Sequence, residues 1–367
     1  MRKICFLLGG FQGSGGIGRS TSIIANYFTE NSDLEVHTIC YCETSKKRMY
    51  TLSSAIQEHI LFNTNISMTK ALIFKHTIKR VKSIVKDNDI DVLIACGSLF
   101  YPLGILAVRG TATKCICVEH TSPDVESDYK FQVMCRKFAV KKADMIVTIT
   151  DSAKEYYITE LGMNSKQVCR IYNPVPKEYY QSNYYNVESK KIISVGRLSY
   201  PKNFSRLIDM AKAVFEKYPD WCWDIYGEGE EREQLQRKIE VLGLNNHVSL
   251  RGQVSDLLQR YEEYSFIVMT SRYEGFPMAL LEASANRLPL VSFDIKTGPN
   301  EIIKNNENGY LLNASDTNGM IDKICNLIEN KDIRLKMSKK SYESSFAFSM
   351  KEINKQWQEL FKKITLT

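Results

Sequence analysis

Short apolar runs alternate with amphipathic stretches along nearly the whole chain. Apolar runs of about five residues occupy 3–8, 35–42, 92–96, 114–118, 145–149 and 168–172. They recur at 191–195, 221–226, 248–250, 266–269, 288–293 and 308–312. Runs of that length and continuity predict strands buried on both faces, as in a parallel sheet. Between them, apolar residues fall three and four apart, as with Ile23, Ile24, Tyr27 and Phe28, or Leu207, Ile208, Ala211, Val214 and Phe215. That spacing predicts helices with one buried face, and the alternation predicts a βαβ series. The rhythm stops at Pro174 and Pro176. Residues 176–189, rich in Tyr, Lys, Asn and Ser, read as a linker. The pattern therefore predicts two α/β domains, 1–175 and 190–345. A last segment, 346–367, carries an amphipathic helix with Ile353, Trp357, Leu360 and Phe361 on one stripe.

The length of 367 residues agrees with two or three domains. With 44% hydrophobic and 25% charged residues, the chain reads as an ordinary globular protein. No apolar run approaches the ~20 residues of a membrane span. The opening Met1-Arg2-Lys3 and the apolar run after it lack a small-residue cleavage site and read as a first strand, not a signal peptide. Ten cysteines are scattered with no C-x-x-C, so reduced thiols in a cytosolic protein are expected. The net charge of +7 is not gathered as in a nucleic-acid domain, and no nucleic-acid partner is expected. Two segments are locally basic: 70–86, with Lys75, Lys79, Arg80 and Lys82, and 130–142, with Arg136, Lys137 and Lys141. Each reads as a solvated helix face or as a surface for an anionic membrane.

The densest chemistry lies in residues 271–283, Ser-Arg-Tyr-Glu-Gly-Phe-Pro-Met-Ala-Leu-Leu-Glu-Ala, after the strand-like run 266–269. Pro277 fits a first helical turn. The N–H groups of residues 276–279 then gather at the positive end of a helix dipole, a site suited to phosphate. Glu274 and Glu282 have seven residues between them. Carboxylates repel phosphate, so they are better suited to gripping hydroxyls; phosphate plus hydroxyls suggests a sugar nucleotide. A βα turn with two surface glutamates is the plainer alternative. Arg197 and Lys202 flank a turn at the carboxyl end of a strand, where two cations can neutralise a diphosphate.

Near the start, strand, glycine-rich loop 9–19 and helix form a phosphate-binding arrangement. Gly13, Gly15 and Gly18 fit G-x-G-x-x-G, with Glu43 ending the next strand, a dinucleotide fingerprint. His120 follows the strand at 114–118, and sites in open parallel sheets sit at carboxyl ends. Asp87, Asp89 and Asp91 form D-x-D twice but read as a surface turn. Ser255 or Asp256 is expected to cap the following helix.

Glu-x7-Glu within Glu-Gly-Phe-Pro-Met…Leu-Leu-Glu-Ala, Val195-Gly196-Arg197-Leu198 with Lys202-Asn203, Gly15-Gly16 and Glu119-His120 together resemble the retaining glycosyltransferases of family 4. The resemblance implies the α/β GT-B fold: two Rossmann-like domains facing across a cleft, the last helix returning to the N-terminal one. It implies a nucleoside-diphosphate sugar as donor, bound mainly by the C-terminal domain, and a glycan or lipid-diphosphate-linked acceptor. Arg197 and Lys202 would clamp the diphosphate with Gly275, Phe276, Pro277, Met278 and Ala279. Leu250, Arg251 and Gly252 would line the nucleobase pocket. Glu282 would hold ribose, Glu274 and His120 the donor sugar, and Gly15 and Gly16 would face donor and acceptor. No metal or other cofactor is implied, and no residue stands out as a covalent nucleophile. The wording of residues 271–278, with Lys-Thr-Gly-Pro-Asn-Glu-Ile-Ile at 296–303, resembles bacterial enzymes of O-antigen, capsule, lipopolysaccharide or exopolysaccharide synthesis. Those commonly use UDP-sugars at the cytoplasmic face of the inner membrane. A GT-B sugar-nucleotide epimerase, an NAD-dependent enzyme and a non-enzymatic binding member are the competing readings.

Overall fold

A computed structural model describes residues 2–12, 15–44, 48–64, 71–123, 129–180, 184–254 and 256–365. The chain forms two compact units, Met1–Pro174 with Met350–Thr367, and Val175–Ser349.

The first unit is built on a seven-stranded parallel sheet of β1 (Arg2–Leu8), β2 (Leu34–Cys42), β3 (Gln57–Phe62), β4 (Val92–Cys96), β5 (Lys114–Glu119), β6 (Met145–Thr148) and β7 (Val168–Arg170). The strand order is β3-β2-β1-β4-β5-β6-β7. The helices are α1 (Gly16–Asn31), α2 (Ala71–Asp87), α3 (Tyr101–Val108), α4 (Lys130–Lys142) and α5 (Asp151–Thr159). Alternation along β1 sends Ile4, Phe6 and Leu8 into one apolar layer with α1, and Cys5 and Leu7 into the other with α2 to α5. The strand β3 lies outside the apolar pattern. It is an edge strand whose Gln57, Glu58 and Ile60 face water, so only Leu61 carries the buried signal. Asp89 adopts a left-handed turn, and the Asp91 carboxylate accepts the Lys3 N–H at 2.7 Å, so the D-x-D run is a surface turn.

The second unit has a six-stranded parallel sheet of β8 (Lys191–Val195), β9 (Cys222–Tyr226), β10 (Val248–Gly252), β11 (Phe266–Met269), β12 (Leu290–Asp294) and β13 (Gly309–Asn313), in the order β10-β9-β8-β11-β12-β13. Its helices are α6 (Phe204–Lys217), α7 (Arg232–Val241), α8 (Leu257–Arg260), α9 (Met278–Ala285), α10 (Pro299–Ile302), α11 (Thr317–Glu329) and α12 (Lys331–Ser345). Residues 176–189, read from the sequence as a linker, are tied into this unit where they are described. Tyr180 donates to the Ser345 carbonyl at 2.9 Å, and Arg334 to that of Val187 at 2.7 Å. Asp256 precedes α8 but does not cap it. Its carboxylate accepts Arg260 at 2.8 and 3.0 Å; Ser255 lies outside the described residues.

The last helix, α13 (Met350–Thr365), belongs to the first unit. Trp357 and Phe361 meet Phe28 of α1 at ring-centroid distances of 6.4 and 5.9 Å, and Ile353, Leu360 and Ile364 are buried in the same layer. All ten cysteines are free thiols; Cys42, Cys169 and Cys222 are half-buried and the rest buried. No helix among the described residues is long and apolar enough to cross a membrane.

In each sheet the order reverses about a central strand, β1 in the first and β8 in the second. The loops beyond the carboxyl ends of β8 and β11 part there, leaving a crevice where doubly wound sheets bind ligands.

Candidate functional site

In the second unit the loop after β8 is held from below by the loop after β9. The Leu198 N–H donates to the Glu228 carbonyl at 3.0 Å, and the Glu231 N–H to that of Leu198 at 3.0 Å. The approach is close enough that only glycine fits. A Cβ at Gly227 would stand 1.9 Å from the Gly196 oxygen, and one at Gly229 would stand 2.2 Å from the Leu198 oxygen. The Lys202 stem crosses over Gly196, 3.2 Å from where a Cβ there would be. The Thr270 hydroxyl, at the end of β11, donates to the Lys202 carbonyl at 3.0 Å, and Arg272 donates to Asn203 at 2.8 Å. These bonds carry the Lys202 ammonium to Glu274, where Nζ meets Oε1 at 2.5 Å. Ser271 donates to the same oxygen at 2.6 Å, and Thr297 donates to the Glu274 carbonyl. Glu274 is therefore fixed by residues on both sides of the crevice.

The helix α9 starts at Met278, with Pro277 as its N-cap and no side chain capping it. Pro277 sits one residue earlier than expected, in an extended conformation with ψ of 97°. A proline has no N–H, so the first amides of the helix at this end are those of residues 278 and 279. Arg197 lies one residue beyond Gly196, but its exposed guanidinium turns to Glu230 at 3.1 Å. Both cations of the expected clamp are thus paired with carboxylates.

Other expected residues sit differently. Glu282 is fully buried, and the Tyr261 hydroxyl donates to it at 3.3 Å, so no edge of this carboxylate is exposed to a ribose. The Leu250 carbonyl accepts Arg232 at 3.1 Å, and the Gly252 carbonyl accepts the Gly227 N–H at 2.9 Å. The β9–β10 register shifts between Leu250 and Gly252, at Arg251. The Arg251 side chain donates to Asp224 at 2.8 Å, and the Tyr264 hydroxyl reaches the other oxygen of that buried carboxylate at 2.8 Å. The signal for Asp224 in the sequence is an acid inside the apolar run 221–226, which calls for a buried partner.

In the first unit, His120 follows β5 directly. Both its ring nitrogens are buried and have no hydrogen-bond partner among the described residues. Burial lowers its pKa to about 4 against the opposing pull of Glu119, so the ring is neutral at neutral pH. Beside it, Glu119 accepts Arg136 at 2.7 Å, the Thr121 hydroxyl at 2.8 Å and the Tyr157 hydroxyl at 2.8 Å. Burial alone would raise the Glu119 pKa, but Arg136 and these donors hold it below the ordinary carboxylate value. Arg136 therefore belongs to the core and not to a solvated basic face. Arg80 and Lys82 are also engaged, donating to the carbonyls of Leu61 and Arg109.

Gly15 and Gly16 are exposed at the start of α1, with open space where their Cβ atoms would be. Gly13 of the dinucleotide fingerprint lies outside the described residues. Its acidic partner, Glu43, is buried and accepts the Phe11 N–H at 3.0 Å and Arg48 at 2.6 Å. That carboxylate is spent on holding its own loop. Among the described residues, no group of three His, Cys, Asp or Glu is arranged to hold a metal ion.

Residues 177–344 match the family model for glycosyl transferases group 1, and residues 14–179 match that for glycosyltransferase family 4. An uncharacterized glycosyltransferase of Haemophilus influenzae is 27% identical over 362 residues, spanning 98% of this chain and 99% of its own. The amylovoran biosynthesis glycosyltransferase AmsD of Erwinia amylovora is 27% identical over 367 residues, with the same shares covered. Among solved structures, HepE of Anabaena in complex with UDP matches with a TM-score of 0.80 at 18% identity, over 99% of this chain and 100% of that one. The chain therefore belongs to the group 1 and family 4 glycosyltransferases and has their GT-B fold.

Proposed function

We propose that this glycosyltransferase moves a hexose from a UDP-sugar to a hydroxyl of a glycan or lipid-diphosphate-linked acceptor, with retention at the anomeric carbon. Its place would be the synthesis of a bacterial surface polysaccharide such as O-antigen, capsule, lipopolysaccharide or exopolysaccharide. It would work in the cytoplasm, as a peripheral protein on the inner face of the membrane. The similarity to an amylovoran enzyme and to a UDP-bound structure supports the polymer and the base.

The observation that carries this reading is the Lys202–Glu274 pair beside the uncapped start of α9. A diphosphate entering there offers Lys202 a stronger anionic partner and frees Glu274 to accept a sugar hydroxyl. Arg197, exposed on the same loop, needs only to leave Glu230 to grip the second phosphate with its fork. The amides of residues 278 and 279 complete a positive pocket for the charge that develops as the sugar leaves. In this reading these groups do the work that a metal ion does in other transferases. The 250–252 backbone would approach the base, and neutral His120 would contact the sugar as a hydrogen-bonding group. Gly15 and Gly16 would leave room for the reacting groups.

The test begins with thermal shifts against UDP, GDP and their common sugars. A ligand of the folded form alone adds about 2.7 kcal/mol at a hundredfold excess over its Kd. With a donor identified, Arg197→Ala and Lys202→Ala are each expected to fold normally and lose at least ~10²-fold in turnover, about 3 kcal/mol of barrier. Near-normal turnover in both would sink the clamp. The anomeric proton coupling of the product tests retention.

A further inference from the structure

Three helices of the first unit, α2, α3 and α4, follow parallel strands and lie on one face of the sheet, where α3 packs against both of the others. Their first turns therefore come together at the carboxyl edge of the sheet, the edge that also carries Gly15 and His120. Large apolar side chains are left in water there. Leu72 on α2 is 83% exposed, Tyr129 just before α4 62%, and Phe131 and Met134 on α4 54% and 59%. Leu99, in the turn before α3, is exposed as well. Exposed apolar residues scattered singly need no explanation, whereas a grouped set marks an interaction surface.

Among the described residues, the exposed charges on α2 and α4 near this patch are of one sign. No acid occurs within α4, and its Lys130, Lys137, Lys141 and Lys142 are exposed. On α2 the only acid is Asp87 at the far end, and Lys75 and Lys79 point to water. Asp124, Glu126 and Asp128, before α4, lie outside the described residues. Apolar side chains at the tip with lysines behind them match the two layers of a bilayer surface, acyl boundary and anionic headgroup. A second copy of this chain fits poorly, since a two-fold contact would set the lysines of one copy against those of the other.

We propose that the first turns of α2 and α4 dock on an anionic phospholipid bilayer, with Leu72, Phe131 and Met134 entering the headgroup region and Lys75, Lys137 and Lys141 facing lipid phosphates. This rests on the peripheral location proposed above and not on the transfer chemistry. It gives that location a surface, next to the edge where a lipid-linked acceptor would have to present its sugar.

The test is co-sedimentation of the full chain with vesicles of phosphatidylglycerol and phosphatidylcholine, against pure phosphatidylcholine. Binding to the anionic vesicles is expected, falling in 0.5 M salt. Each lysine removed should lower the partition coefficient about fivefold, so Lys137→Glu with Lys141→Glu should lower it roughly twentyfold or more. Leu72→Ser with Phe131→Ser and Met134→Ser should abolish binding while leaving the UDP thermal shift unchanged. No binding by the wild type, or binding that neither variant weakens, overturns the proposal. Micromolar self-association lost in the serine variant would assign the patch to a second copy instead. A protein that binds vesicles but no nucleotide would uphold this inference and fail the transferase reading.

Discussion

Replacing Arg136 with methionine removes the cation from a carboxylate that has no exposed surface. The two side chains are 1% and 0% exposed and 2.7 Å apart. Methionine fills much of the aliphatic volume, so the change acts mainly through charge. Breaking a buried pair by removing one partner destabilises by about 3–5 kcal/mol, because the other charge stays behind. The pH dependence follows from the direction of the Glu119 shift. In the wild type its folded pKa is depressed, so the contribution is full above the unfolded value of about 4.3 and is lost as pH falls through the folded value. In Arg136→Met burial dominates, and the carboxyl pKa lies above the unfolded one. That variant loses stability as pH rises, so its deficit is smallest near pH 4 and largest at pH 7. Two units need not unfold together, so hydrogen exchange of β5 and β6 peptides is a better readout than one melting temperature. Their slowest amides should exchange roughly a hundred- to several-thousand-fold faster at pH 7. Adding Glu119→Gln should restore part of the loss. A deficit under about 1 kcal/mol, or one equal at pH 4.5 and 7.5, refutes the reasoning.

Gly229→Ala places a Cβ against the Leu198 backbone, which cannot swing aside as a side chain could. The loop bearing Arg197 and Lys202 must shift, so the calorimetric Kd for the donor nucleotide should weaken tenfold or more; an unchanged Kd contradicts the placement. His120, with its pKa near 4, should show a flat imidazole shift by NMR from pH 5.5 to 8, and an inflection near 6.5 would contradict its burial. Its linkage has the same sign as that of wild-type Glu119, at a higher pH: the unfolded ring takes a proton near pH 6.5 and the folded one does not, so this site loses stability as pH falls from about 6.5 toward 4.

Much of the fold was legible because parallel strands buried on both faces leave continuous apolar runs, and each run 92–96, 114–118, 191–195 and 266–269 lies on a strand. The family resemblance alone assigns Lys202 and Glu274 to one site, and the fold sets them 2.5 Å apart. What stayed hidden depends on partners far along the chain. Arg136 reads as one more cation in a basic run until α4 turns it onto Glu119, 17 residues earlier. Asp224 and Tyr264 are 40 residues apart and meet only across the sheet. Glu282 reads as a grip for ribose, but α9 is buried on nearly every side and encloses it. Local spacing fixes which face a residue occupies; it does not say what covers that face.

The chain enters the second unit at Val175 and leaves it at Ser349, and these two points are stitched together, the Val175 N–H donating to the Phe348 carbonyl at 2.8 Å. The second unit is thus a single uninterrupted loop of polypeptide hung from one seam. It can be excised as a gene fragment without cutting its core, while the other half, rejoined from 174 to 350 by a few residues, keeps its closing helix. During synthesis the order reverses that convenience: Phe28 must wait more than three hundred residues for the Trp357 and Phe361 that cover it.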